Sequence, residues 1–363
     1  MDDLLSPDVV GRLTTAVSSA APGLKLGSLR AARTAVEGKR LRARVEVVRD
    51  ALLADLPEGF DVVENIVPDL LAHPAFSGWM IWPVTELVTQ RALQSGSVAS
   101  FDSGMELLAR LTTGLTAEFA VRDLLNERPE RSLSIMRTWA DHGNEHVRRL
   151  ASEGSRAYLP WAKRVPWLLE HPQATLGILD ATYRDPTDYV RRSTANHLND
   201  LSRIDPAIVT GAAGRWAEAP DGNTAWVIRH ALRSLVKRGD ARALELLGFS
   251  GEGLVVAQPQ LSATVLEWGG TVEFTAEITN TGAAPAVVAV DYSVGFLRAN
   301  GSVSPKTFKL GSRQIAPGET VSVSKSHSFR PITTRVYYPG AHFLTVQANG
   351  VLSPQAEFLV QRA

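Results

Sequence analysis

Three carboxylates stand inside segments that are otherwise basic or apolar. Glu118 lies in TAEFAVR between Ala117 and Phe119, Glu153 follows Arg149 by one helical turn and precedes Arg156, and Asp200 closes the stretch VRRSTANHLND. A phosphate-binding surface is expected to exclude acids, because each repels the backbone. Two readings fit. In one, each acid pairs with its nearest arginine and ties helices together. In the other, the three converge where positive charge develops during a reaction. Cleavage of an N-glycosidic bond passes through an oxocarbenium-like sugar, which a neighbouring carboxylate stabilises while orienting the attacking water.

An aromatic residue belongs to the same question. In LPWAKRVPW, Trp161 directly follows Pro160 in a loop between helices. Proline stiffens such a turn, so the indole is held out as a plane able to stack on a sugar or base. Trp139, Trp167 and Trp216 are expected to fill cores instead.

These residues must be positioned by a repeated helical frame. Val147-Arg148-Arg149, Val190-Arg191-Arg192 and Ile228-Arg229-His230 head three helices, 43 and then 38 residues apart. That period is close to the one of helix-pair solenoids of the HEAT or armadillo type. Stacked units would align Arg148, Arg191 and Arg229 in one row and Arg149, Arg192 and His230 in another. Arg233, Lys237 and Arg238 prolong the third stripe. Residues 30–49 add seven Lys or Arg against two Glu, a basic helical stretch in a chain of net charge zero. Local basic stripes on a neutral protein are the footprint of a phosphate-backbone binder. Salt bridges within each repeat account for the same residues.

Composition bounds the rest. The 363 residues are 44% hydrophobic and 21% charged, enough for two well-cored domains. The sequence contains no cysteine, which excludes disulfides, thiolate zinc sites and cysteine nucleophiles. No cofactor or metal site is expected. The acidic start MDDLLSPDVVGR lacks a secretory pattern and no segment reads as a membrane span, so the expected compartment is the cytoplasm.

The pattern changes along the chain. LTAEFAVRDLL, SLSIMRTWA, VPWLLE, TLGILDATY and HALRSLVKR have helical spacing. After GFSGEGL, the runs 272–279, 286–296, 320–329 and 341–350 alternate with period two, and NTG, ANG and APGE supply turns. The expected architecture is an α-solenoid of HEAT-like repeats over residues 1–252, followed by an all-β immunoglobulin-like sandwich over 253–363. Arg298, Lys306, Lys309 and Arg313 gather in LRANGSVSPKTFKLGSR, which reads either as a loop reaching a minor groove or as an ordinary solvated hairpin.

TAEFAVR, VRRLASEGSRAYLPW, DPTDYVRRSTANHLNDLSRIDP and WVIRHALRSLVKRGDARALELLG resemble the HEAT-like-repeat alkylbase DNA glycosylases of the AlkC branch. The resemblance covers most of residues 30–250, and a subgroup of that branch carries a C-terminal immunoglobulin-like domain. It implies base excision repair of double-stranded alkylated DNA. The implied reaction removes cationic N3-alkylated bases such as 3-methyladenine and 3-methylcytosine, without flipping the lesion into a pocket. The family's catalytic carboxylates fall on Glu118, Glu153 and Asp200, and its sugar-facing tryptophan on Trp161. Its DNA contacts fall on Arg149 and Arg156, with Asn196-His197 and Arg229-His230 nearby. A monomer is expected. A cationic base leaves without protonation, so no general acid is needed, and His197 is expected to bond a phosphate or cap the stripe.

Two other readings stand beside this one. The chain could be a non-enzymatic HEAT-repeat protein that binds bent or branched DNA, its acids serving as structural pairs. It could also be an interaction scaffold whose β-sandwich carries the partner site.

Overall fold

The computed structural model describes residues 4–333 and 335–361. Helices come first and strands after them. The helices are α1 (Pro7–Ala20), α2 (Gly27–Ala35), α3 (Leu41–Asp55), α4 (Phe60–Ala72), α5 (Ile81–Ser95), α6 (Val98–Leu111), α7 (Val121–Glu127) and α8 (Pro129–Trp139). There follow α9 (Glu145–Gly154), α10 (Pro166–Glu170), α11 (Leu176–Thr182), α12 (Asp188–Leu201), α13 (Pro206–Glu218), α14 (Thr224–Lys237) and α15 (Ala241–Leu246). Two compact units result, residues 1–231 and 232–363, so the second takes in the end of α14 as well as the strands. Among the described residues no helix is long and apolar enough to cross a membrane.

Local signals set the ends of the helices that matter most. Asn144 caps α9, its Oδ1 accepting from the His146 N–H at 2.8 Å, and Asp205 caps α13. Proline at the first position starts α8, α10 and α13, where its missing N–H costs nothing. At the other end of α9, a Cβ added to Gly154 would lie 2.8 Å from Val121 Cγ1. Only glycine lets that end of α9 approach α7 so closely.

The helices around the candidate residues pack in layers. α8 lies on α9, α9 on α12, and α12 on α11 and α13. Val147, Leu150 and Ala151 of α9 and Val190, Leu198 and Leu201 of α12 are buried as their spacing predicts. Several polar residues of α12 behave differently from expectation. Arg191, His197, Asn199 and Asp200 are buried as well, because α12 is covered from more than one side.

Two expected helical stretches are broken. The basic run 30–49 is divided between α2 and α3, with Gly38 at φ +67° in the turn between them. Glu118 lies in a turn ahead of α7 rather than on a helix.

In the second unit the strands are β1 (Leu254–Val256), β2 (Gln260–Leu261), β3 (Val265–Glu267), β4 (Thr271–Asn280), β5 (Ala286–Leu297), β6 (Val303–Ile315), β7 (Thr320–Ser328), β8 (Gly340–Ala348), β9 (Val351–Leu352) and β10 (Ala356–Gln361). One sheet runs β1-β4-β2 with β7 on β4; the other runs β3-β10-β8-β5-β6 with β9 on β8. The inner faces interleave Val272, Phe274, Ala276, Ile278 and Val323 with Val288, Val290, Tyr292, Leu344 and Val346, which makes a sandwich core. In register, β4 meets β7 as Val272 opposite His327 and Ile278 opposite Val321. The LRANGSVSPKTFKLGSR segment spans the turn between β5 and β6 and most of β6, which pairs with β5 along its length. β6 is an edge strand, which is why it tolerates Pro305 and shows little alternation.

Candidate active site

The three acids are gathered, and two arginines join them. Arg149 Nη1 lies 2.7 Å from Glu118 Oε2, and its Nη2 lies 3.6 Å from Glu153 Oε1. Arg156 Nη1 lies 2.6 Å from the same Glu153 oxygen, and its Nε lies 2.8 Å from Asp200 Oδ2. The result is a line of alternating sign: Glu118, Arg149, Glu153, Arg156, Asp200. Each arginine is shared between two acids. Both opening readings meet in this arrangement: the acids converge, and each is also ion-paired to an arginine that links it to a neighbour.

Four segments hold the line. Glu118 is fixed in its turn by Thr116, whose hydroxyl donates to Glu118 Oε2 at 2.9 Å and accepts from Arg149 Nη1 at 3.2 Å. Arg149 and Glu153 lie one turn apart on α9, Arg156 just past its end, and Asp200 on α12. Ser193 Oγ of α12 donates to Glu153 Oε2 at 2.7 Å, so both oxygens of Glu153 are occupied. Tyr189 spreads its exposed ring over Arg149, 4.9 Å from the guanidinium carbon. Thr116, Tyr189 and Ser193 carry no catalytic signature in sequence; only their neighbours in space mark them.

Burial sharpens the electrostatics. Burial pushes the Asp200 carboxyl above the usual range, against the pull of Arg156. Burial works against the Arg149 and Arg156 cations, yet the acids around each outweigh it and hold both above the ordinary guanidinium value. Charges taken from water in this way attract one another strongly, and removing one partner is costly.

Trp161 is 97% exposed. Its φ of 60° places a bulky residue in the left-handed region, which costs on the order of 1–2 kcal/mol and persists only when the surroundings dictate it. It rims a cleft of about 470 Å³ that is also lined by Trp79, Trp82, Phe119 and Thr116. The cleft therefore reaches the residue that hydrogen-bonds Glu118. Trp139 and Trp216 are buried in cores, and Trp167 is half-buried and stacks on His171 with centroids 4.1 Å apart.

The expected arginine rows are only partly displayed. Arg148 is tied to Asp185 at 2.6 Å and 3.1 Å and to the carbonyls of His142 and Gly143. Burial would raise the Asp185 carboxyl, but Arg148 and Thr187 hold it below the usual range. Arg191 is buried, donating to Asp185 O at 2.7 Å. Neither reaches out to phosphate, and the reason is the same buried Asp185. His197 is likewise internal: its Nδ1 faces Ser152 O at 2.8 Å, and its exposure is nil. The phosphate contact expected of His197 is replaced by this strut. Burial, with Arg156 adding to it, pushes the imidazole down to about 3, so it is neutral. A carbonyl partner puts the proton on Nδ1.

The outer part of the stripe remains open. Arg192 and Arg229 are exposed; Arg192 is 2.9 Å from Asp188 and lies over the Trp226 ring. His230 Nε2 is 3.0 Å from Asn196 Oδ1, and its ring stacks on Trp226 with centroids 5.0 Å apart. Arg233 is half-buried one turn further along α14. Among the described residues no group of acids, histidines or cysteines is arranged to hold a metal ion.

Residues 112–235 match the family described as DNA alkylation repair enzyme, and residues 255–362 match the C-terminal Ig-like domain of the uncharacterised protein YhaZ. The chain is 33% identical over 321 residues to the uncharacterized protein YhaZ of Bacillus subtilis, covering 88% of this chain and 87% of that protein. Among solved structures it is similar to the Pseudomonas fluorescens alkylpurine DNA glycosylase AlkC bound to DNA containing an abasic site analog. There the identity is 30%, the TM-score 0.79, and 99% of each chain is covered.

Proposed function

The chain belongs to the DNA alkylation repair enzymes, in the AlkC branch that carries a C-terminal Ig-like domain, and from that membership we propose that it is a DNA glycosylase of base excision repair. It hydrolyses the N-glycosidic bond of cationic N3-alkylated bases, 3-methyladenine and 3-methylcytosine, in double-stranded DNA. It acts as a monomer, in the cytoplasm, without a cofactor and without flipping the lesion.

The observation that carries this reading is the line of acids bridged by shared arginines. A protein that only gripped phosphates would gain from the arginines and lose from Glu118, Glu153 and Asp200. An enzyme that generates a sugar cation needs the acids, and needs them fixed before the reaction begins. In the proposed roles, Glu118, Glu153 and Asp200 surround the deoxyribose ring, one of them orienting the water. Trp161 lies against the sugar. Arg149, Arg192, Asn196, Arg229, His230 and Arg233 serve the flanking strand, Arg149 also fixing the acids, while Arg156, expected among the DNA contacts, is buried between Glu153 and Asp200 and fixes the acids alone. Arg148, Arg191 and His197 act from within, holding α9 and α12 in register.

The leaving group needs no proton, since an N3-alkylated base departs neutral. That agrees with a site whose one internal histidine is buried and uncharged.

The test is release of free base from methylated DNA by the wild type and by Glu153→Gln. Release by the wild type with loss in the variant supports the proposal. DNA binding by both with release by neither leaves a non-enzymatic binder of bent or branched DNA.

A further inference from the structure

Trp161 is strained and almost wholly exposed, so its own contacts cannot fix it. Whatever holds it must act through the stems of its loop. Both stems are gripped by α7. Arg122 Nη1 donates to Gly154 O at 3.0 Å and to Arg156 O at 2.9 Å, on the side where the chain enters the loop. Its Nε donates to Lys163 O, on the side where the chain leaves. One turn further along α7, Asn126 Nδ2 donates to Arg164 O at 3.1 Å. Between them, Asp123 takes the Lys163 ammonium at 2.7 Å.

Arg122 is an expensive way to satisfy three carbonyls. Its exposure is nil, and none of these bonds goes to a carboxylate. Burial, with Arg164 and Arg156 adding repulsion, lowers its guanidinium to about 10. Burying a cation costs desolvation that offsets much of what its bonds return, whereas the three bonds fix where both stems of the loop run. The same helix begins three residues after Glu118, and the Arg156 whose carbonyl it binds bridges Glu153 and Asp200.

We propose that Arg122 is a positioning residue: through α7 it sets the tip of the 155–165 loop, and so Trp161, relative to the acids, with Asp123 and Asn126 as its outer supports. The proposal rests on the glycosylase reading for its kinetic consequence and not for its structural one.

The experiment uses full-length protein and three variants: Arg122→Met, the double variant Asp123→Asn with Asn126→Ala, and Trp161→Ala. The double variant changes exposed or half-buried groups and guards against simple unfolding of Arg122→Met. Single-turnover base release is expected to fall about tenfold or more in the first two, with binding of abasic-site DNA changed less than about threefold. In the Trp161→Ala background the same changes are expected to cost nothing further. Full additivity there would overturn the proposal.

A second readout does not depend on activity. With 5-fluorotryptophan at the eight tryptophans, the resonance missing from Trp161→Phe identifies Trp161. That resonance is expected to shift or broaden in the double variant. An unchanged Trp161 signal would overturn the proposal even if the wild type releases base. A changed signal in a protein that releases none would sustain it and remove the glycosylase reading alone.

Discussion

Arg156 joins Glu153 and Asp200 across two helices, 2.6 Å from one carboxylate and 2.8 Å from the other. The two acids stand on α9 and α12, yet a single guanidinium fixes the spacing between them. Whatever either acid does, the other feels through that bridge.

Substitutions along the line should therefore separate stability from activity. Glu153→Gln leaves Arg149 with Glu118 and Arg156 with Asp200, so it is expected to cost about 1–2 kcal/mol in urea denaturation. Arg156→Met leaves buried Asp200 without its ion pair and Glu153 with only the longer ion contact to Arg149, and is expected to cost about 3–5 kcal/mol. Base release should fall at least about 100-fold in Glu153→Gln and in Asp200→Asn, while affinity for abasic-site DNA stays level or rises. A carboxamide variant with wild-type release would remove that acid from the proposed chemistry.

Acid should weaken the first unit through His197. In the unfolded chain its imidazole titrates near 6.5, and in the fold only at about 3. The unfolded state binds the proton first, so the contribution of the neutral ring is complete above pH 6.5 and is lost as pH falls from there toward 3. Between pH 7 and pH 5 that loss amounts to about 2 kcal/mol. The stability gap between wild type and His197→Gln, measured by denaturation at both values, is expected to narrow by that amount. A gap independent of pH would show that the ring is reached by water.

Turnover should follow the charge of the base. Hypoxanthine is neutral and needs a proton to leave, and a general acid is commonly worth about 10²–10⁴ in rate. Release of 3-methyladenine is expected to exceed that of hypoxanthine by at least about 100-fold in the same duplex. Comparable rates would require a proton donor among the residues assigned here to other tasks.

Arg229 is exposed on α14 and makes no ion pair among the described residues. Arg229→Ala is expected to weaken DNA binding several-fold and to reduce the slope of log affinity against log salt by about 0.9. Arg191→Met, by contrast, should leave that slope unchanged, since Arg191 is spent on Asp185 O. Equal slopes for wild type and Arg229→Ala would place the strand elsewhere.

Much of the fold was legible because burial follows the period of the local backbone. β4 alternates buried and exposed residues from Thr271 to Asn280, as its spacing requires. β6 escaped that logic as an exposed edge. For the site, residue types at Glu118, Glu153, Asp200 and Trp161 were informative, and their gathering was not: Glu118 and Arg149 are 31 residues apart, Arg156 and Asp200 44. Amphipathic reasoning failed on α12 for a physical reason. It assumes that one face meets water, whereas α9 and α13 both cover this helix, so Arg191 and His197 became struts. Arg122, one cation within AVRDLL, gave no sign that it gathers three carbonyls from a distant loop.

In the row formed by Glu118, Glu153 and Asp200 with Arg149 and Arg156, anions outnumber cations by one at formal charge. Before cleavage the positive charge of the lesion lies on its base, not on the sugar that these acids are proposed to surround. A ring that has just shed its base is a monovalent cation and cancels that surplus. Stable mimics of that fleeting ring, such as a protonated pyrrolidine in place of deoxyribose, should thus occupy the enzyme far more tightly than a tetrahydrofuran of the same shape.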